Sequence, residues 1–163
     1  MSKYQCLFFK EQEMDNNNIT LSVVMPAYNE EQHIKDNLLE TSRILSRFLH
    51  RYEIIAVNDG SKDSTGKLIA EAAEMDSHIV DTGYDVNQGK GHAITTGIAK
   101  ASGKYIAFLD SDLELSPSLL KPFMKQMRDT GSDIVIGSKL HPESKLDYPP
   151  IRRVMSYSYY IML

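Results

Sequence analysis

Short apolar runs alternate with longer amphipathic segments along most of this chain, and this alternation restricts its fold more than any other property. Three runs rich in β-branched or aromatic residues fall at residues 19–26, 52–58 and 105–109. After the first run, residues recur at spacings of three and four that place one face of a helix against a core. That face consists of Ile34, Leu38, Thr41, Leu45 and Phe48. Strands alternating with such helices predict βαβ units, and therefore an α/β fold with a doubly wound, mainly parallel sheet and helices on both faces.

Capping residues and a proline predict where the helices begin. Asn29 or its neighbours are expected to cap the first helix, and Asp63 or Ser64 the second. Ser116 followed by Pro117 is typical of a helix start. The remaining predictions are a short strand near residues 79–80, a helix over 93–101, an end of the last helix near 128 and a strand over 133–137.

Polar segments follow three of the predicted strands, beginning at Pro26, Asp59 and Asp110. The carboxyl ends of parallel strands lie at one edge of a sheet, and ligands of such sheets bind outside that edge. We therefore expect the three segments to share one binding edge.

Asp110 and Asp112 end the most apolar of these strands. Alternate side chains of a strand point the same way, so the two carboxylates are expected on one side of the chain. Mg²⁺ and Mn²⁺ prefer oxygen ligands and are usually held by one or two carboxylates together with substrate phosphates. The pattern favours a metal that grips the diphosphate of a nucleotide-linked substrate. The alternative is a solvated strand end with no ligand.

Two other segments each allow two interpretations. Asp59 can accept the ring N–H of uracil or guanine, or it belongs to an ordinary Asp-Gly turn. Gly89, Lys90 and Gly91 precede a helix and can present backbone N–H groups and one ammonium to a phosphate. The spacing of a Walker loop is missing, so a turn with a solvated lysine is the alternative.

Composition excludes several classes of protein. The chain has 163 residues, 42% of them hydrophobic, which suffices for one globular domain. We place that domain at residues 19–140, after a polar leader at residues 1–18. The net charge of −4 argues against a nucleic-acid-binding protein. Cys6 is the single cysteine, which excludes an intramolecular disulfide, and the histidines lack a zinc-binding spacing.

Residues 141–163 differ from the rest of the chain. Lys145, Arg152 and Arg153 precede an apolar, tyrosine-rich run at residues 154–163. An interfacial membrane helix has this character, and so has a terminal helix packed on the sheet. No apolar run reaches the roughly 18 to 20 residues that span a bilayer. We expect a cytoplasmic chain or one peripheral on the cytoplasmic membrane face, and its end inside an apolar run suggests a longer parent protein.

Four segments, at residues 21–30, 57–61, 87–91 and 110–112, resemble in order and spacing the motifs of family-2 glycosyltransferases. The resemblance covers about residues 19–139 and implies the GT-A fold, with its Rossmann-like nucleotide-binding half.

Within that family, residues 136–139 and the later Pro149, Arg152 and Arg153 are similar to dolichyl-phosphate mannose and glucose synthases and their bacterial polyprenyl-phosphate relatives.

The resemblance also implies a set of site residues. Those expected at the nucleotide sugar are Pro26, Tyr28, Glu30, Val57, Asp59, Asp110, Ser111, Asp112 and Lys139. Asp110, Asp112 and Glu114 are the expected ligands of Mg²⁺ or Mn²⁺, with Asp112 in the catalytic role. Glu114 stands where the lipid-phosphate enzymes commonly carry Gln, and the carboxylate adds negative charge at the metal. Lys139 stands where the mannose synthases usually have Arg, which gives looser contact with phosphate.

The implied reaction is inverting, metal-assisted transfer of a hexose from a UDP- or GDP-linked donor to a polyprenyl phosphate. A lipid phosphate is already ionised at neutral pH, so a general base is dispensable in principle, whereas a hydroxyl acceptor needs a carboxylate base. Two alternatives stay open: transfer to a hydroxyl of a cell-surface polysaccharide, and a nucleotide-sugar-binding fragment without the full catalytic machinery. The sequence does not predict the oligomeric state.

Overall fold

The computed structural model describes residues 19–137. The expected leader, the basic and aromatic segment and Lys139 lie outside these residues. The elements in chain order are β1 (Leu21–Ala27), α1 (Ile34–Leu45), β2 (Tyr52–Asp59), α2 (Thr65–Met75), β3 (Ile79–Tyr84), α3 (Lys90–Lys100), β4 (Tyr105–Phe108), a 3-10 turn (Pro117–Leu119) and α4 (Leu120–Thr130).

The four strands form one parallel sheet in the order β3-β2-β1-β4. Val23 in the central strand β1 pairs with Ile54 of β2 on one side and with Ala107 of β4 on the other. Each strand is followed by a crossover to the next, which is the βαβ arrangement predicted from the alternating pattern. All four carboxyl ends consequently lie at one edge, as predicted for the polar segments.

The core has two layers because alternate residues of the buried strands face opposite sides of the sheet. On one side, Val23 and Ile54 belong to a cluster that includes side chains from α1, α2 and α4. On the other side, Val24 and Ile55 pack with Ala93 of α3. Burying a large aliphatic side chain stabilises the folded state by about 1.5–3 kcal/mol, so both layers contribute substantially. This confirms a doubly wound α/β fold.

Gly97 allows α3 to approach the sheet closely. A Cβ atom at this position would lie 2.3 Å from Cγ1 of Val24, which is too close for any side chain. The contact fixes the height of α3 above β1 and β2, and with it the position of the helix start.

Three local predictions are wrong. Asn29 does not cap α1, because its side-chain carbonyl accepts the backbone N–H of Lys62 instead. Residues 133–137 form no strand, although they are rich in β-branched residues. Such a run becomes a strand only beside a pairing partner, and here Val135 packs on the core while Gly137 lies against Phe123 of α4.

The third wrong prediction concerns the strand that was expected to end at residue 109. β4 ends at Phe108, and residues 110–113 form a turn in which the N–H of Leu113 donates to the carbonyl of Asp110 (3.3 Å). Strand alternation therefore does not relate Asp110 to Asp112. Within residues 19–137, no helix combines the length and apolar character that crossing a bilayer requires.

Candidate functional site

The four loops that follow β1, β2, β3 and β4 meet at the carboxyl edge of the sheet. We call this edge the rim and define it as residues 28–33, 59–64, 84–90 and 109–116, which include the last residues of β2 and β3 and the first residue of α3. It holds the polar segments that the sequence placed together.

The first two loops of the rim are joined directly by hydrogen bonds. The backbone N–H of Asn29 donates to Oγ of Ser61 (3.1 Å), and the N–H of Lys62 donates to Oδ1 of Asn29 (2.9 Å). The N–H of Glu30 donates to Oγ1 of Thr65 at the start of α2 (2.8 Å). Asn29 has φ 54°, a left-handed conformation that asparagine tolerates better than most residues. These contacts fix the chain between β1 and α1 against the loop after β2.

Asp59 organises the loop after β3. The residue is only 3% exposed, and Oδ1 accepts hydrogen bonds from the hydroxyl of Tyr84 (2.6 Å) and the N–H groups of Gln88 (2.9 Å) and Gly89 (3.2 Å). Oδ2 accepts from Nδ2 of Asn87 (3.0 Å). Burial and the neighbouring Asp59 carboxylate both raise the pKa of the Tyr84 phenol, so this hydroxyl stays protonated and donates. These donors hold the carboxylate in place, and its predicted contact with a nucleobase stays a prediction.

Gly60 completes this arrangement. Its φ of 62° is left-handed, and a Cβ atom here would lie 2.3 Å from the backbone nitrogen of Asn87. The backbone at residues 86–87 thus rests directly on Gly60. We call residues 59 and 60, together with the 84–89 segment that they hold, the Asp59–Gly60 corner.

Asp110 forms an ion pair that was not predicted from the sequence. Nζ of Lys90, the first residue of α3, lies 2.5 Å from Oδ1 of Asp110 and 5.0 Å from the ring centroid of Phe108. The Asp110 side chain is 14% exposed and that of Lys90 is 55% exposed. Lys90 is thus both ion-paired and more than half exposed, so the phosphate-binding and solvated-lysine interpretations of the Gly89-Lys90-Gly91 segment both stay predictions.

A hydrogen bond from α1 holds the turn after Asp110. Nδ2 of Asn37 donates to the backbone carbonyl of Ser111 (2.7 Å), and the Ser111 side chain is buried. Asp112 and Glu114 are exposed, and Oδ1 of Asp112 accepts the N–H of Glu114 (3.1 Å). Leu113 between them has φ 51°, so the backbone is sharply bent at this point. The turn thus carries two exposed acidic residues directly after the Asp110 ion pair.

These carboxylates suit a metal that the substrate helps to hold. Among residues 19–137, no group of three or more His, Cys, Asp or Glu side chains is arranged as a complete metal site. Mg²⁺ commonly takes only one or two protein carboxylates and completes its coordination with phosphates and water. Asp110 and Asp112 fit that requirement, and Glu114 lies on the same turn. Their assignment as ligands stays a prediction.

The other predicted nucleotide-binding residues occupy different environments. Tyr28 follows β1 and is 42% exposed at the rim, where its ring can meet a ligand. Glu30 is half-buried, and its carbonyl accepts the N–H of Ile34 at the start of α1 (3.0 Å). Pro26 pairs with Val57 in the sheet. The Val57 side chain is buried in the layer under α3, so only its backbone is left for contact with a nucleotide.

Two contacts of the site were not predicted from the sequence: Tyr84 as a partner of Asp59, and Lys90 as a partner of Asp110. Tyr84 ends β3, the strand next to β2, and the parallel register pairs it with Asp59. That adjacency was the available signal, but it requires the strand order, which the pattern of strands and helices alone does not supply.

A parallel sheet of this order, with helices on both faces and carboxylates on the rim, places the chain among the doubly wound α/β proteins, whose ligands bind outside the carboxyl ends of the strands. Residues 22–161 match Glycosyl transferase family 2, and the chain belongs to that family.

Curated relatives agree with this family. The chain is 32% identical over 163 residues to the dolichyl-phosphate beta-glucosyltransferase ALG5D of Trichomonas vaginalis, covering 91% of this chain and 49% of the relative. It is 34% identical over 116 residues to an undecaprenyl-phosphate 4-deoxy-4-formamido-L-arabinose transferase of Klebsiella pneumoniae, covering 71% of this chain and 35% of the relative. The chain thus spans about half or less of the length of these relatives.

Solved structures show the same fold. TarS of S. aureus superimposes with a TM-score of 0.56 at 24% identity, over 71% of this chain and 34% of that chain. The mannosyltransferase PcManGT of Pyrobaculum calidifontis, in complex with GDP-Man and Mn²⁺, gives a TM-score of 0.58 at 21% identity, over 72% and 35%. The chain therefore has the GT-A fold that the sequence motifs implied.

Proposed function

We propose that this chain forms the donor-binding part of a glycosyltransferase that moves a hexose from a UDP- or GDP-linked sugar to a polyprenyl phosphate of the dolichyl type. The observation that carries the proposal is the meeting of four motif segments at one rim, in a chain similar to transferases named for dolichyl and undecaprenyl phosphates.

The rim offers suitable groups for a nucleotide sugar. The exposed ring of Tyr28 provides a surface for the nucleoside, beside Glu30 and the carboxyl ends of β1 and β2. The turn at residues 110–114 lies at the end of the neighbouring strand β4, where a diphosphate would follow the nucleoside. Lys139 would add a positive charge from outside the described residues.

Asp110 and Asp112, with Glu114, would hold Mg²⁺ or Mn²⁺, and the metal would neutralise the charge that grows on the departing nucleoside diphosphate. Within this arrangement Asp112 is the catalytic residue, because it is exposed and lies where the diphosphate would bind. A lipid-phosphate acceptor is ionised at neutral pH, so its oxygen can attack the anomeric carbon without a general base. The bond from that carbon to the nucleoside diphosphate breaks on the opposite side, and this single displacement inverts the configuration.

The acceptor also determines where the protein acts. A polyprenyl phosphate resides in a membrane, so we expect the chain at the cytoplasmic membrane face, with contact through the segment at residues 141–163 or through further chain. Flotation with vesicles containing anionic lipid should carry the protein upward, whereas its recovery in the dense fraction would contradict membrane binding.

A transfer assay tests the proposed function. The chain is incubated with Mn²⁺, labelled UDP- or GDP-hexoses and a polyprenyl phosphate, and labelled lipid is measured after extraction. Formation of glycosylated lipid supports the proposal and identifies the nucleotide. Binding of donor without transfer indicates a nucleotide-sugar-binding fragment, and transfer to a glycan hydroxyl alone indicates a polysaccharide acceptor.

A further inference from the structure

We propose that Lys90 is the resident counter-ion of Asp110, that the divalent cation replaces it, and that its released ammonium then binds the diphosphate of the donor. The Asp59–Gly60 corner positions Lys90 for this exchange. The inference rests on the proposed function, because it concerns the same metal and diphosphate.

The ion pair has the geometry of a tightly held but accessible contact. Asp110 is largely buried, so an uncompensated charge on it would be costly, and the ammonium 2.5 Å away provides the compensation. Lys90 itself is half-exposed and lies over the Phe108 ring on a flexible stem. It can therefore leave Asp110 for a nearby anion without any movement of the backbone.

The Asp59–Gly60 corner lies at the end of β2, but it positions Lys90 beside Asp110, which follows β4. Asp59, at the end of β2, binds the backbone of Gln88 and Gly89 immediately before Lys90. Tyr84 is held by the same carboxylate and also contacts the ring of His92 edge-on, with the centroids 5.1 Å apart. Asp59, at the end of β2, thus fixes the start of α3. The Lys90 ammonium at that helix start reaches Asp110 after β4, and β1 lies between β2 and β4 in the sheet.

Lys90 and a divalent cation compete for the same oxygen atoms of Asp110. A metal that arrives alone has to displace the ammonium and leaves it without an anionic partner. A metal that arrives with a nucleotide diphosphate provides that partner, since lysine is a common ligand of phosphate. Metal and nucleotide should therefore bind cooperatively, and each should raise the affinity for the other by the same factor.

The test measures Mn²⁺ binding by calorimetry with and without UDP or GDP, for the parent chain and for Lys90→Gln. Removing the competing ammonium should tighten binding of Mn²⁺ alone by at least about fivefold, the lower end of ordinary coupling between sites. The same variant should show weaker cooperativity between Mn²⁺ and nucleotide than the parent, because only the coupling through direct coordination of the diphosphate by the metal remains. Lys90→Arg, which keeps the positive charge, should retain cooperativity closer to that of the parent.

Two further variants separate this exchange from a general effect of charge or folding. Lys100→Gln removes one positive charge from the other end of the same helix and should leave both affinities unchanged. Tyr84→Phe keeps the ring and removes one donor to Asp59. It should loosen the Asp59–Gly60 corner. The affinity for Mn²⁺ alone and the cooperativity with nucleotide should then change in the same direction as in Lys90→Gln, but by a smaller factor.

The outcomes distinguish the two proposals. If the parent and Lys90→Gln bind Mn²⁺ equally and with equal cooperativity, the exchange is wrong and the proposed function stands. If neither protein binds Mn²⁺ with or without nucleotide, the metal-assisted function and the exchange are both wrong.

Discussion

Two aspartates of the rim, similar in sequence context, have different roles in the structure. Asp59 is the last residue of β2, and its oxygen atoms accept hydrogen bonds from Tyr84, Asn87 and the loop backbone. Asp110 follows β4 and is paired with a single side chain that can move away. Both are acids at the ends of parallel strands, so the sequence alone does not distinguish a carboxylate with several partners within the chain from one that is paired with a single side chain.

At the residue scale, Asp112→Asn should weaken Mn²⁺-dependent binding of UDP or GDP at least several-fold, because an amide replaces a charged ligand of a hard cation. Calorimetry with and without Mn²⁺ measures the change. Asp133→Asn, at an exposed position away from the rim, is the control. Unchanged metal-dependent affinity in Asp112→Asn would remove this residue from the site.

A second residue-scale prediction concerns pH. Burial disfavours the charged form of Asp76, but hydrogen bonds from Ser42 and from the backbone and ring of His78 outweigh it and lower the pKa of Asp76. A carboxylate whose pKa is lower in the folded state stabilises the protein above the unfolded pKa, about 3.9. That stabilisation is lost as the pH falls through the lower folded value.

Asp76→Asn should therefore reduce the free energy of unfolding at neutral pH by about 2 kcal/mol, the usual contribution of hydrogen bonds to a charged group. The loss should diminish at acidic pH, where the parent carboxylate is protonated. Urea denaturation at several pH values measures it, with Asp133→Asn as the matched control. An equal loss at every pH would contradict the assignment to ionised Asp76.

At the scale of elements, α3 matters most because it covers one face of the sheet and carries Lys90. Gly97→Ala should destabilise the protein by about 1–3 kcal/mol, since the added methyl group meets Val24 and forces the helix away from the sheet. Gly91→Ala is the matched control in the same helix, because a Cβ atom there has no neighbour within 4 Å. It should be neutral or stabilise by up to about 1 kcal/mol. Thermal or urea unfolding of both variants gives the comparison, and equal effects would contradict the close approach of α3.

The elements also differ in how well the sequence predicted them. The spacing of Ile34, Leu38 and Leu45 was sufficient to predict α1, because burial of one face decides the helix. The run at residues 133–137 was not sufficient to predict a strand, because strand formation depends on a partner elsewhere in the chain. Local pattern thus predicted the helices better than it predicted the last strand.

At the scale of the whole molecule, the alternation of strands and helices determined the fold class, and the rule for parallel sheets placed the polar segments at one edge. The internal bonds of the rim were not predictable in this way. Tyr84 and Asp59 are 25 residues apart, and Lys90 and Asp110 are separated by all of α3 and β4. Such contacts depend on strand order and helix height, which a single sequence does not encode as a local pattern.

Binding at the rim should stabilise the whole chain. A ligand that binds only the folded state adds about 2.7 kcal/mol at a free concentration one hundred times its Kd. Mn²⁺ with UDP or GDP should therefore raise the midpoint of thermal unfolding by several degrees, and EDTA should abolish the part that depends on metal. An identical midpoint with and without saturating nucleotide and Mn²⁺ would contradict a ligand site on the rim.

The central position of β1 has a consequence for the order of assembly. Its partners are β2, which follows closely, and β4, which is made only after most of the described chain. Because long-range pairing is slow, we expect β1, β2 and β3 to form first and β4 to join last.

Pulse-labelled hydrogen exchange should show early protection of the β1–β2 ladder and late protection of β4. Since Asp110 arrives with β4, a nascent chain would have no complete rim, and its ligands could assist only the final step of folding.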